Sequence, residues 1–182
     1  MKKQKNRWIM LFCICCNTFC FGGVYAWSAF SGELANYMGW DYSKVTVAYS
    51  IMLMCVALMG LVGGMLLQRF GARKLMIAAG IMWGLGWFAT GMAGSIIMLY
   101  ASFGILAGCA SGFGYNPGVV TAVSWFPDKK GFASGMAVGT CGMASLIVAP
   151  LANFLLTRFN VMTAFRLVGG MFSVVSLATS WY

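Results

Sequence analysis

Gly64-Met65-Leu66-Leu67-Gln68-Arg69-Phe70-Gly71-Ala72-Arg73-Lys74 closes one long apolar stretch, turns within a few residues, gathers three cations and opens a second apolar stretch. Charges set between two runs of about 20 apolar residues do not suit a globular core. They suit a bilayer surface, where the runs enter hydrocarbon and the turn stays in water. The turn therefore fixes the fold class as all-α integral membrane. Composition agrees: of 182 residues, 61% are apolar and 8% charged, with a mean hydropathy of +0.84, whereas a soluble domain carries about 25% charged residues.

Outward from this turn the apolar runs cover about 8–30, 45–67, 75–93, 96–125, 132–156 and 163–182. They predict six transmembrane helices in one bundle over 1–182. The +9 net charge is not spread evenly. Lys2, Lys3, Lys5 and Arg7 precede the first run, Arg69, Arg73 and Lys74 follow the second, and Lys129 and Lys130 follow the fourth. If the runs alternate in direction, all of these fall on one side, and Lys44, Arg158 and Arg166 on the other. Cations concentrate on the cytoplasmic side, so the N terminus is expected in the cytoplasm, and a sorted charge of this kind argues against nucleic acid as a partner.

The cysteines Cys13, Cys15, Cys16, Cys20, Cys55, Cys109 and Cys141 all lie in apolar runs. Without a histidine in the chain, they read as small packing residues, and no metal or cofactor is expected. Val24-Tyr25-Ala26 fits a small-x-small cleavage pattern, but the preceding run of about 23 residues exceeds the 7–15 of a signal-peptide core.

Gly22-Gly23 thin the first helix just before Tyr25 and Trp27, which suits either a close helix approach beside a cavity or an aromatic belt at the membrane surface. In the outer loop, Asp41 or Ser43 is placed to cap the second helix. Gly60-x-x-x-Gly64 and Gly80-x-x-x-Gly84 each put small residues on one helix face. The fourth run reads Gly104-x-x-x-Gly108-x-x-x-Gly112 and then Gly114-Tyr115-Asn116-Pro117. Proline after so many glycines predicts a loosened helix with an amide at membrane depth, either a binding site or a packing kink. The fifth run continues with Gly131, Gly135, Gly139 and Gly142, a glycine face expected against the fourth helix.

Leu66-Leu67-Gln68-Arg69-Phe70-Gly71 returns 89 residues later as Leu155-Leu156-Thr157-Arg158-Phe159-Asn160, and Tyr25 returns as Tyr115 at an offset of 90. A three-helix unit used twice would be inverted in the membrane, an arrangement of secondary transporters with midplane sites.

The opening turn resembles the loop between helices 2 and 3 of the major facilitator superfamily, G-x-x-x-D-R-x-G-R-K. Gly64, Arg69, Gly71 and Arg73 match and Lys74 adds a cation, while Gln68 and Ala72 depart. By resemblance, Gly64, Gln68, Arg69, Gly71, Arg73 and Lys74 form the loop that switches conformation, with a neutral amide where the family has an acid. Tyr25-Ala26-Trp27-Ser28, Gly114–Pro117 and Trp125-Phe126-Pro127-Asp128-Lys129-Lys130-Gly131 resemble the oxalate/formate antiporter family. That resemblance implies small carboxylate substrates, Tyr25, Trp27 and Tyr115 as site residues on helices 1 and 4, and a twelve-helix fold of which this chain supplies two inverted three-helix repeats, the first half. The cations that hold the carboxylate are then expected in the second half.

The expected function is secondary active transport of a mono- or dicarboxylate such as oxalate or formate, by alternating access, in the plasma membrane. Tyr25, Trp27, Tyr115 and Asn116 are the substrate-binding candidates, and the expected partner beyond lipid is a second six-helix half or a homodimer partner. The competing expectation is a membrane-embedded structural or assembly protein. An enzyme is not expected: Cys109-Ala110-Ser111-Gly112 has the outline of an intramembrane serine protease site, but the histidine base is missing.

Overall fold

The computed structural model describes residues 6–180; Lys2, Lys3, Lys5, Trp181 and Tyr182 lie outside the described residues. Within them the regular structure is helical, with no strand. Helix α1 spans Arg7–Met38 and α2 Tyr42–Phe70; α3 is Ala72–Thr90, α4 Ile96–Trp125, α5 Lys130–Arg158 and α6 Val161–Ser180. All but α3 are long and apolar enough to cross a membrane. In α3, only 19 residues long, Arg73 and Lys74 occupy the first turn and lower the hydropathy of every long window.

Local chemistry sets the ends. Asn6 accepts from the Trp8 amide at 3.0 Å to start α1, Asp41 accepts from the Ser43 amide at 3.1 Å to start α2, and Ser95 accepts from the Met98 amide at 3.3 Å to start α4. Each satisfies an orphan donor of a first turn. Helix α1 runs past the expected residue 30, because Phe30 and Leu34, one turn apart, are both fully buried and hold the chain in helical register. It stops at Gly39, whose φ of 65° is left-handed.

Two segments depart from α geometry. Gly22–Ala26 tightens into a 3-10 turn within α1, and Tyr100–Ala107 widens into a π-helix within α4. Pro117 does not interrupt the helix: α4 stays α-helical over Gly108–Trp125 with Pro117 inside it. Pro117 removes one donor, yet its own carbonyl accepts from Thr121 Oγ1 at 2.7 Å, and Gly114, Pro117, Gly118 and Thr121 are buried against the neighbouring helices. The irregularity sits instead at Tyr100–Ala107, over the first glycine of the stretch, Gly104, and ends ten residues before Pro117.

Helix α4 packs on α2 and α3, α1 packs on α5 and α6, and α3 packs on α6. Glycines set the closest crossings. A side chain at Gly104, Gly108 or Gly112 would meet Ile51, Met52 or Met59 of α2. One at Gly80 or Gly84 would meet Ser176 or Ser173 of α6, and one at Gly22 would meet the Cys141 carbonyl and Ala144 of α5. The fifth-helix stripe corrects an expectation: Gly131, Gly135, Gly139 and Gly142 have nothing within 4 Å of where a Cβ would stand, so they do not face α4. Four-residue spacing aligns glycines on one face, but which neighbour that face meets depends on the whole bundle, and the α4 stripe is already filled by α2.

The centre is aromatic. Phe21, Trp27 and Phe30 of α1 meet Trp83 and Trp87 of α3, Phe103 of α4, and Phe165 and Phe172 of α6. Edge-to-face pairs such as Phe30–Trp87 at 5.8 Å and Trp87–Phe172 at 5.4 Å lock the rings. At one end of the bundle Arg7 pairs with both carboxylate oxygens of Asp128 at 3.2 Å and lies over Phe126, tying the start of α1 to the α4–α5 turn. At the other end Tyr100 donates to the Lys44 carbonyl at 2.9 Å, and Arg166 Nε donates to the Gly91 carbonyl just past α3 at 2.7 Å.

Candidate functional site

The tight turn Gly22–Ala26 brings α5 and α6 against the thin side of α1, the close approach that the paired glycines permit, and leaves Tyr25 beside open space. Tyr25 is 55% exposed and lines two adjoining cavities. The smaller cleft, about 80 Å³, is lined by Phe21, Leu53, Val56 and Cys141, and its polar groups are Tyr25, Tyr115 and Ser111. The wider one, about 250 Å³, lies between α1 and the start of α2, with Ser28, Ser31, Tyr42, Thr46 and Tyr49 around it. Phenols from α1, α2 and α4 thus converge on one region, each a neutral donor.

Tyr25 and Tyr115, 90 residues apart, are therefore brought together. Trp27 borders the wider cavity, but only 4% of it is exposed; its ring stacks on Phe103 at 4.0 Å and its indole nitrogen has no partner. Asn116, half-buried, turns toward α2, and its amide fills the space a side chain at Gly60 would occupy. The residues that sequence reasoning missed are Tyr49, Ser111 and Cys141. Tyr49 carries a signal, as a polar-tipped ring about two turns into an apolar helix; Ser111 stands in the sequence only as part of a protease-like tetrapeptide.

A second polar cluster was also missed. Asn17 of α1 is buried and donates to the Cys13 carbonyl at 3.1 Å and to Thr179 Oγ1, while Ser176 and Ser180 of α6 donate to its Oδ1 at 2.6 and 3.2 Å. A small cavity connects this cluster to Arg73 at the start of α3. Gln68 and Arg69 are exposed at the end of α2, Arg69 lies 5.5 Å over the Phe70 ring, and no side chain would be blocked at Gly64 or Gly71. Outside the membrane-spanning segments, the hydrogen bond from the Ser43 amide, and then that from its hydroxyl, hold the Asp41 carboxyl below the usual carboxylate range.

The profile of the Major Facilitator Superfamily matches residues 7–182. The chain belongs to that superfamily. It is 36% identical over 143 residues to the uncharacterized MFS-type transporter YhjX of Escherichia coli (strain K12), covering 79% of this chain and 36% of that protein. It is 32% identical over 165 residues to the oxalate:formate antiporter of Oxalobacter formigenes, covering 90% of this chain and 39% of the antiporter. Monocarboxylate transporter 3 of Mus musculus is 28% identical over 165 residues, covering 90% of this chain and 34% of the transporter. The matched stretch thus spans a little over a third of each relative. An all-helical membrane fold follows for this superfamily member, with the aromatic core and the tyrosine-lined cleft as its own features.

Proposed function

We propose that this chain forms the first six-helix half of a secondary transporter for a small mono- or dicarboxylate, with Tyr25 and Tyr115 as donors to the substrate. One observation carries the reading: phenols from α1 and α4 line the same cleft, with Ser111 beside them and apolar walls around them. A carboxylate leaving water needs hydrogen bonds and a countercharge. The cleft offers the first, and the countercharge is assigned to a second half. The antiporter relative is named for oxalate and formate, and a cleft of this size suits such small anions.

Two further features support the architecture. The packing is exchanged between the halves of the sequence: α4 lies on α2 and α3 as α1 lies on α5 and α6, which is what an inverted pair of three-helix units would give. Helices α2 and α5, matching positions in the two units, are the least buried of the five apolar spans, and both present large apolar side chains outward, Leu58 and Leu61 on one, Leu146 and Ile147 on the other. We assign these faces to the second half, and the cation-rich end to the cytoplasmic side of the plasma membrane. Alternating access then moves the half as one body about its aromatic core.

Tyr115→Phe tests the reading in a complete two-half transporter carrying this chain. Loss of one hydrogen bond to a charged ligand costs about 1.5–3 kcal/mol, so the KM for carboxylate uptake should rise about 10- to 100-fold at unchanged expression. Unaltered uptake kinetics in both Tyr115→Phe and Tyr25→Phe would remove the site.

A further inference from the structure

Beside the α2–α3 turn a groove of about 320 Å³ opens on the outside of the bundle, far larger than the roughly 30 Å³ share of one water. Its walls are Leu66 and Phe70 of α2, Leu75, Ala78 and Met82 of α3, and Phe113 of α4 behind, with Lys74 the one charged group lining it. Lys74, Ala78 and Met82 follow one another at intervals of four residues, so the groove runs inward along one face of α3. Eight residues of helix measure about 12 Å, close to half of a hydrocarbon core of about 30 Å. The trough therefore has the depth of one leaflet.

Its mouth is cationic. Lys74 stands at the rim, and the Arg69 guanidinium lies over the ring of Phe70, itself a wall of the trough. Among the described residues no side-chain carboxylate answers them: Asp128 pairs with Arg7, while Asp41 caps α2 at its far end and Glu33 lies in the last part of α1, toward that same end. A soluble anion would meet the cations and leave the trough bare. A zwitterionic lipid would fill the trough but bring a cation of its own to the rim.

We propose that this groove seats one anionic phospholipid from the leaflet on the side of the α2–α3 turn, its acyl chain against Ala78 and Met82 and its phosphate between Lys74 and Arg69. The seat is separate from the tyrosine cleft and stands whether or not that cleft takes a carboxylate. It places a lipid headgroup on the loop that joins α2 to α3, so leaflet charge would bear on the position of that loop.

The chain, purified and exchanged into bilayer discs of equal phosphatidylglycerol and phosphatidylcholine, should keep phosphatidylglycerol preferentially when released for native mass spectrometry. Cations at a membrane surface contribute about fivefold each to anionic-lipid binding, so R69Q/K74Q should lower that preference about 25-fold. Ala78→Trp, on an exposed position, should block the trough and cost the preference with both cations intact. K129Q/K130Q, which removes the same charge at the α4–α5 turn, should leave it unchanged. Far-UV circular dichroism checks that each variant stays helical. No preference in the wild-type chain, full retention in Ala78→Trp, or an equal loss in K129Q/K130Q would overturn the proposal, the last two by reducing it to general surface charge.

Discussion

At the scale of single residues, Gly71 shows how a turn can depend on backbone alone. Its φ of 79° and ψ of 156° lie in a region open essentially to glycine, while nothing within 4 Å would obstruct a Cβ. Gly71→Ala should therefore destabilise the bundle by about 1–3 kcal/mol through backbone strain alone, read as a lower midpoint in detergent denaturation. Gly39, at φ 65° and ψ 27°, is left-handed in the way asparagine tolerates; Gly39→Asn should be near neutral and Gly71→Asn should not. Asp41 gives a pH dependence. Its carboxyl is held below its unfolded value, so its cap on α2 is fully present above the ordinary carboxylate pKa of about 3.9 and is lost as pH falls through the lower folded value. Hydrogen exchange at the first amides of α2 should quicken over that acid range in the wild type, and Asp41→Asn should flatten the response. The candidate ligands were also residue-scale readings. Tyr25 and Tyr115 meet, whereas Trp27 is largely absorbed by the core and Asn116 by the α2 crossing. A residue type announces what it can bond, and only its neighbours decide what it does bond.

At the scale of elements, the glycine stripes divide by environment. At Gly112 a Cβ would approach Met59 and the Val56 carbonyl at 2.8 Å, whereas Gly139 faces open space. Overpacking costs about 1–3 kcal/mol, so Gly112→Leu should lower the denaturation midpoint of this chain, and Gly139→Leu should leave it unchanged; equal effects would mean that the α2–α4 contact is wrongly placed. Both stripes have the same spacing in sequence, so pattern alone did not tell them apart. The departures from α geometry were likewise half legible. The 3-10 turn falls on Gly22-Gly23, where thinning was expected, but the π-helix falls on Tyr100–Ala107, with no proline to signal it. The Asn17 cluster was silent because a lone amide in an apolar run gains its meaning from Ser176, Thr179 and Ser180, about 160 residues on.

At the scale of the whole molecule, Arg7 paired with Asp128 puts the start of α1 and the α4–α5 turn at one end, and the cavity shared by Met10, Arg73 and Ser180 adds the α2–α3 turn and the end of α6. In sealed vesicles, a membrane-impermeant amine reagent added from one side should label Lys74 and Lys129 together and spare Lys44, as read by peptide mass spectrometry; Lys74 and Lys129 on opposite faces would undo the topology. This ordering needed little more than the sequence. Runs of apolar residues about 20 long, cations at alternate ends and a Gly71 turn determined the helical membrane class, the placing of most helices and the sorting of charge, because partition between water and hydrocarbon acts on each segment separately. Which glycine face meets which helix, which aromatic becomes core and which lines a cleft, and where a groove stays open beside Lys74 were decided only by tertiary packing. Those are contests between distant segments for the same space, and no single stretch of chain contains both contestants.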